Sequence, residues 1–255
     1  MIPIFVSHGS PMIALEENGL TKGLSGWANQ NSKPDLIIAV SAHWITRRPA
    51  LNLAPKHTTL HDFGGFPDKL YQVKYEPLGR PEFKSEIDRI LDIELETELA
   101  RGLDHGIWTV LKWLYPKAEV PVVQLSLGAE LSLKQHFEIG QKLANLPDNY
   151  LLFSTGNLTH NLRDISFQPN APFKSWARRF DEKAKQAIQE QNWHVFIDPI
   201  PYFGDDFTQA HPTIDHYLPL LYAIGAVSVQ PIKRVKWLYE AIEMGTLAMR
   251  TMVWE

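Results

Sequence analysis

The apolar residues of the chain gather in short runs at positions 2–7, 36–41, 120–127 and 150–154. Runs of this kind, nearly unbroken by polar residues, are the pattern of strands buried on both faces. A further run at 247–254 predicts a closing strand. Between the runs the spacing turns helical. Residues 81–91 place Phe83, Ile87, Ile90 and Leu91 on one face. Residues 132–144 open with Ser132 and Gln135 at capping-box spacing and turn Leu133, Phe137 and Leu143 inward. Residues 172–191 carry Phe173, Trp176, Ala177, Phe180, Ala184, Ala187 and Ile188 on one stripe. Strands alternating with helices predict an α/β fold, a three-layer αβα sandwich around a central, mostly parallel or mixed sheet. No internal repeat or Gly/Ser linker interrupts the chain, so residues 1–255 read as a single domain.

Composition narrows the function. The 44% hydrophobic and 21% charged shares are those of an ordinary globular protein. The formal net charge of -4 gives no broad electrostatic footprint for nucleic acid. There is no cysteine, so neither a disulfide nor a thiolate nucleophile or ligand is available, and a metal must sit on imidazole and carboxylate. That fits a cytoplasmic protein. The N-terminus reads as a strand without a basic leader, so no signal peptide is expected, and no apolar run reaches membrane-spanning length.

The ten histidines carry the chemistry by their placement. His8 follows the run at 2–7, His43 follows 36–41, and His160 lies just beyond 150–154. Open α/β sheets bind ligands in the crevice outside the C-terminal ends of their strands. Parallel neighbouring strands would therefore bring these three imidazoles to one rim. Gly9 with Ser10-Pro11, and Gly156 with Asn157, supply the tight turns such loops need. His105, in Asp104-His105-Gly106, enters an apolar helical stretch. His216 is expected in the first turn of a helix capped by Thr213, within a segment that begins at His211. The glycine-rich, aromatic stretch 60–67, which includes His61, reads as a pocket-lining loop. A lone histidine is usually a surface or core residue, and His57, His136 and His194 are read that way. No His-Glu-x-x-His spacing is present, so the signal is joint.

Several segments then combine: Ser7-His8-Gly9-Ser10-Pro11, Ser41-Ala42-His43-Trp44, His61-Asp62-Phe63-Gly64-Gly65-Phe66-Pro67 and Asp104-His105-Gly106. Further along come Gly156-Asn157-Leu158-Thr159-His160-Asn161-Leu162, His216-Tyr217-Leu218-Pro219-Leu220 and Glu243-Met244-Gly245. Each is weak alone. In this order, along nearly the whole chain, they resemble the class III extradiol ring-cleaving dioxygenases, and more closely the 4,5-DOPA extradiol dioxygenase family. The resemblance implies that His8, His43 and His216 hold one divalent metal ion. The position of His216 is a glutamate in the ring-cleaving subunit of protocatechuate 4,5-dioxygenase. His160 resembles a catalytic acid/base, with a role as fourth ligand the alternative, and His105 resembles a pocket residue near substrate and dioxygen. The implied reactants are a catechol such as DOPA and O2.

An all-imidazole set leaves the metal its full charge. Fe(II) is what catechol cleavage needs, while Zn(II) also suits three histidines and is an occupant a purified sample can hold. Asp104 is expected to orient His105, and Asp62 or Asp215 to fix a ligand tautomer. Trp44, Phe63, Phe66 and Tyr217 are expected to wall an aromatic-binding pocket. Two other readings stay open on the residues alone: a zinc-dependent hydrolase using the same histidines, and a non-catalytic metal-binding protein. A Ser-His-Asp hydrolase is disfavoured, because Ser10 lacks a Gly-x-Ser-x-Gly context.

Overall fold

Residues alternate sides along the central strands, and both sides are apolar. Ile37, Ala39, Leu151 and Phe153 enter one core with Ile4 and Val6. Leu36, Ile38, Val40 and Leu152 enter the other with Phe5. A sheet apolar on both faces has to be covered on both. The computed structural model, which describes residues 1–168, 171–231 and 234–255, shows how.

The strands are β1 (Ile2–Ser7), β2 (Leu36–Thr46), β3 (Ala50–Asn52), β4 (Glu96–Glu98), β5 (Val122–Gly128), β6 (Tyr150–Gly156), β7 (Val235–Tyr239), β8 (Ile242–Glu243), β9 (Leu247–Ala248) and β10 (Thr251–Trp254). Eight of them form one sheet in the order β4-β3-β5-β2-β6-β1-β10-β7, and β8 with β9 makes a small ribbon. The centre, β5-β2-β6-β1, is parallel, whereas β10 runs antiparallel to β1 and β3 antiparallel to β5. The expected closing strand is thus two pieces, of which β10 joins the sheet between β1 and β7, and β7 forms the edge.

The helices are α1 (Gly19–Gln30), α2 (Asp68–Tyr71), α3 (Lys84–Leu91), α4 (His105–Leu114), α5 (Leu133–Leu143), α6 (Ser175–Gln189), α7 (His194–Ile197), α8 (Ile200–Phe203), α9 (Asp205–Ala210) and α10 (Leu218–Ser228). α1 and α4 cover one face of the sheet. α3, α5, α6 and α10 cover the other, which completes the three-layer sandwich. α10 is buried from Leu218 to Val227, as a helix apolar all round should be. Among the described residues no helix is long and apolar enough to cross a membrane.

Three local expectations change. α6 begins at Ser175, so Phe173 lies before the helix and is exposed. The helix after His216 begins at Leu218 with Pro219 in its first turn, and Thr213 does not cap it. Proline suits that position because its missing N–H would have no helical partner there. Leu133 is only partly buried, while His136 turns inward to the Tyr222 hydroxyl at 3.0 Å.

α5 and α10 cross through a pair of glycines. A Cβ on Gly140 would stand 2.4 Å from the Tyr222 carbonyl oxygen, and one on Gly225 2.2 Å from that of Phe137. Gly225→Ala should therefore push the helices apart and cost about 1–3 kcal/mol of stability. A lowered urea midpoint at unchanged slope is the expected result, and an unchanged midpoint would show that the crossing has slack.

Candidate active site

The parallel order β2-β6-β1 brings the C-terminal ends of three neighbouring strands to one rim. His8 is the first residue past β1, and its N–H donates to the Gly156 carbonyl at 3.0 Å. His43 does not follow its strand, as expected, but sits inside it. The register of β2 against β5 slips between Val40 and Ile45, and this irregularity carries Ser41 to Trp44. A bulge of this kind re-aims a side chain without ending the strand. His216 arrives from the other side, where its carbonyl accepts from Asn157 N at 3.1 Å. A Cβ on Gly156 would meet that carbonyl oxygen at 2.2 Å, so glycine is required for the loops to touch.

One ligand atom from each of His8, His43 and His216 lies within 4.8 Å of the others. The Nε2 atoms of His8 and His43 are 3.0 Å apart. The tautomers of His8 and His216 follow from their other nitrogens. The Thr155 hydroxyl donates its single proton to the Gly106 carbonyl at 2.9 Å, so it accepts from His8 Nδ1–H at 2.9 Å. His216 Nδ1–H donates to the Asp215 carboxylate at 2.8 Å. Both rings therefore turn an Nε2 lone pair toward the site. Burial first, and then the neighbouring imidazoles, push His8 and His43 well below the usual histidine range, so both are neutral. Neutral imidazoles with converging lone pairs are a donor set that fits a divalent transition metal.

Two other clusters, His43/Asp62/His105 and His160/Asp215/His216, bring donors as close. In each the carboxylate accepts from an imidazole N–H and so acts as an orienting group. His160 stacks on His216 with ring centroids 3.4 Å apart. Burial, then His216, holds its pKa down to about 3. The His105 and His43 rings are 4.0 Å apart. Over this floor lies a cavity of about 330 Å³, walled by Phe63, Phe66, Leu162, Ile165, Phe167 and Met244.

The family model described as the catalytic LigB subunit of aromatic ring-opening dioxygenase matches residues 3–249. The chain belongs to this family. It is 38% identical to the 4,5-DOPA dioxygenase extradiol of Escherichia coli (strain K12), over 98% of this chain and 93% of that protein. It is 35% identical to the protein of the same name from Beta vulgaris, over 87% and 85%. A crystal structure of an uncharacterized protein from Escherichia coli K12 matches it with a TM-score of 0.83 at 33% identity, covering 99% of each chain. This LigB-family chain is an extradiol dioxygenase.

The side chains around the histidines differ from expectation at Asp62, Asp104, Trp44 and Tyr217. Asp62 orients His105, accepting from its backbone N–H at 3.0 Å and its Nδ1 at 2.9 Å. Burial works to raise the Asp62 carboxyl, and the bonds from His105 outweigh it and lower it. Asp104 is turned the other way. It is buried at the N-terminus of α4, where it accepts from Ser41 Oγ at 2.7 Å and Gln124 Nε2 at 3.0 Å. Sequence adjacency to His105 suggests the wrong partner, because residues next to each other at a helix start point apart.

Trp44 and Tyr217 do not line the cavity. Trp44 is buried under the Arg101 guanidinium, and the Tyr217 hydroxyl donates to the Phe196 carbonyl at 2.8 Å. Phe63 and Phe66 do line it. His57 is a core residue bonded to the Val122 carbonyl at 2.8 Å, and His194 starts the short helix α7.

Thr155 has no sequence signal. Its role appears only once β6 pairs with β1 and sets it beside His8. Thr155→Val keeps the shape and removes the acceptor. Metal affinity should fall about 10–100-fold with the fold intact. Unchanged affinity in a competition titration would mean that the hydroxyl does not set the His8 tautomer.

Proposed function

We propose that the chain is a metal-dependent extradiol dioxygenase that opens a catechol ring with both atoms of O2, acting as one catalytic domain over residues 1–255. The observation that carries the reading is the convergence of the His8, His43 and His216 donors on the floor of an aromatic-sized cavity, with His160 and His105 beside them. His8, His43 and His216 are assigned as the metal ligands. Fe(II) bound there would supply the redox chemistry that brings catechol and O2 to reaction. DOPA is the substrate named for the relatives and enters as the first candidate.

The roles of the chain's own groups follow from charge and position. His160 is neutral, so it can accept a hydroxyl proton as the catechol seats. Its lowered basicity reflects burial beside other imidazoles. The negative charge that develops on the catechol oxygens favours an imidazolium beside them, which raises the ring's proton affinity when it is needed. Asp215, which faces both His160 and His216, adds to that effect. His105 has its Nδ1–H held by Asp62 and is assigned as the group that delivers or holds a proton on the dioxygen side. Phe63 and Phe66 exclude water from the ring and orient its face.

The test is O2 uptake by protein reconstituted with Fe(II) under anaerobic conditions, given L-DOPA and other catechols. Uptake in step with a new yellow absorbance, absent with Zn(II), is the expected result. No uptake with any catechol would overturn the reading.

A further inference from the structure

Between Val40 and Ile45 the chain leaves its strand partners. Pairing with β6 ends at Ser41, and pairing with β5 skips from Val40 to Ile45. Backbone polar groups in such a gap need partners from elsewhere. At His43 both groups find them in one network. Its N–H donates to Ser41 Oγ at 3.2 Å, and its carbonyl accepts from Arg101 Nη2 at 2.9 Å. These two holders are joined to each other. Ser41 Oγ donates to Asp104 Oδ1 at 2.7 Å, and Arg101 Nη2 lies 3.7 Å from Asp104 Oδ2. The Asp104 side chain is fully buried and that of Arg101 is 23% exposed. Arg101 is itself fixed at both ends. The Asn52 amide in β3 donates to its carbonyl at 2.8 Å, and its guanidinium lies 5.5 Å over the Trp44 ring.

We propose that Arg101 is a positioning residue: through the His43 carbonyl and the Asp104 carboxylate it fixes the bulge in β2 that aims His43 at the metal site. The proposal rests on the assignment of His43 as a metal ligand. A ligand has to be held within roughly 0.5 Å of its working position, and a bulge without strand partners needs another hold to stay there. The planar guanidinium suits the task because it donates in fixed directions, one toward the carbonyl and one toward the carboxylate, where an ammonium is a point charge. The start of α4 closes the arrangement. A Cβ on Gly106 would stand 3.0 Å from both His43 Cδ2 and Ser41 Oγ, so helix and bulge are in direct contact.

The experiment uses Arg101→Met, which keeps an unbranched stem beside Trp44 and removes the donors, and the double variant Arg101→Met/Asp104→Asn. The double variant removes the buried charge that the single one strands. An asparagine there still accepts from Ser41, and Gln124, whose Oε1 has no partner among the described residues, can turn to accept from its amide. Zn(II) dissociation constants are measured by competition with a chelator, visible spectra on Co(II)-loaded protein, and urea midpoints on metal-free protein. Arg101→Met is expected to bind Zn(II) about 10–100-fold more weakly, with altered Co(II) bands and a lower urea midpoint. The double variant should regain the midpoint but neither the affinity nor the parent spectrum. Arg101→Lys should fall between the parent and Arg101→Met in affinity. Affinity and spectrum that return together with the midpoint, or that are unchanged in Arg101→Met, would show that Arg101 only supports the fold and would overturn the inference while leaving His43 a ligand. Normal metal retention in His43→Ala would overturn the ligand assignment and the inference with it.

Discussion

Replacing His43 by alanine is expected to remove the metal and with it all turnover. The side chain reaches the site from a bulge in β2, and its Nε2 stands 3.0 Å from that of His8. A four-ligand zinc site is worth about 10–16 kcal/mol, so one ligand in four accounts for about 3 kcal/mol, or roughly a hundredfold in affinity. On the proposed ligand set of His8, His43 and His216, losing one leaves a pair, which is expected to release the ion on a desalting column. His194→Ala, at the other end of the molecule's histidine inventory, should change neither metal content nor rate. Metal analysis after desalting, beside O2 uptake, reads both. Normal metal retention in His43→Ala would remove His43 from the ligand set.

His160→Ala should behave differently. Its metal content is expected to stay near that of the parent, while kcat falls about 10²–10⁴-fold, the range a general acid/base supplies. His160→Gln is the companion variant, because it keeps volume against the His216 ring, which stacks 3.4 Å away. Loss of activity in both, with metal retained in both, fits a proton carrier. Loss of metal in both would make His160 a fourth ligand and require another base, for which His105 is the group at hand. The partition between metal content and kcat separates these roles, since a merely structural residue would move the two together.

Much of this site is legible in the amino-acid sequence. The runs that end before His8 and before His160 mark strands by their unbroken apolar pattern, and those strands prove to be parallel neighbours. The capping box at Ser132 and Gln135 forms as its spacing predicts. Failures occur where partners come from elsewhere in the chain. The bulge that carries His43 depends on register against β5, which no local pattern encodes. Asp62 lies 43 residues before the His105 it orients, while the adjacent Asp104 answers to Ser41 and Gln124. Thr155 falls just past the predicted strand at 150–154 and carries no signal until the longer β6 pairs with β1 and sets it beside His8. Trp44 and Tyr217 read as pocket aromatics because they flank histidines, yet alternation along the chain sends neighbouring side chains to opposite sides. Tyr217 accordingly packs in the core while His216 faces the cavity.

The reaction itself is tested most directly by isotope. Fe(II)-loaded protein is given 4-ethylcatechol or L-DOPA under ¹⁸O2, and the ring-opened product is trapped and weighed by mass spectrometry. The account predicts that both labelled atoms enter the same product molecule, and that the Zn(II)-loaded protein yields no product. The new aldehyde oxygen exchanges with water, so the decisive results are a product with no label in its new carboxylate, or equal turnover with Zn(II), either of which would contradict it.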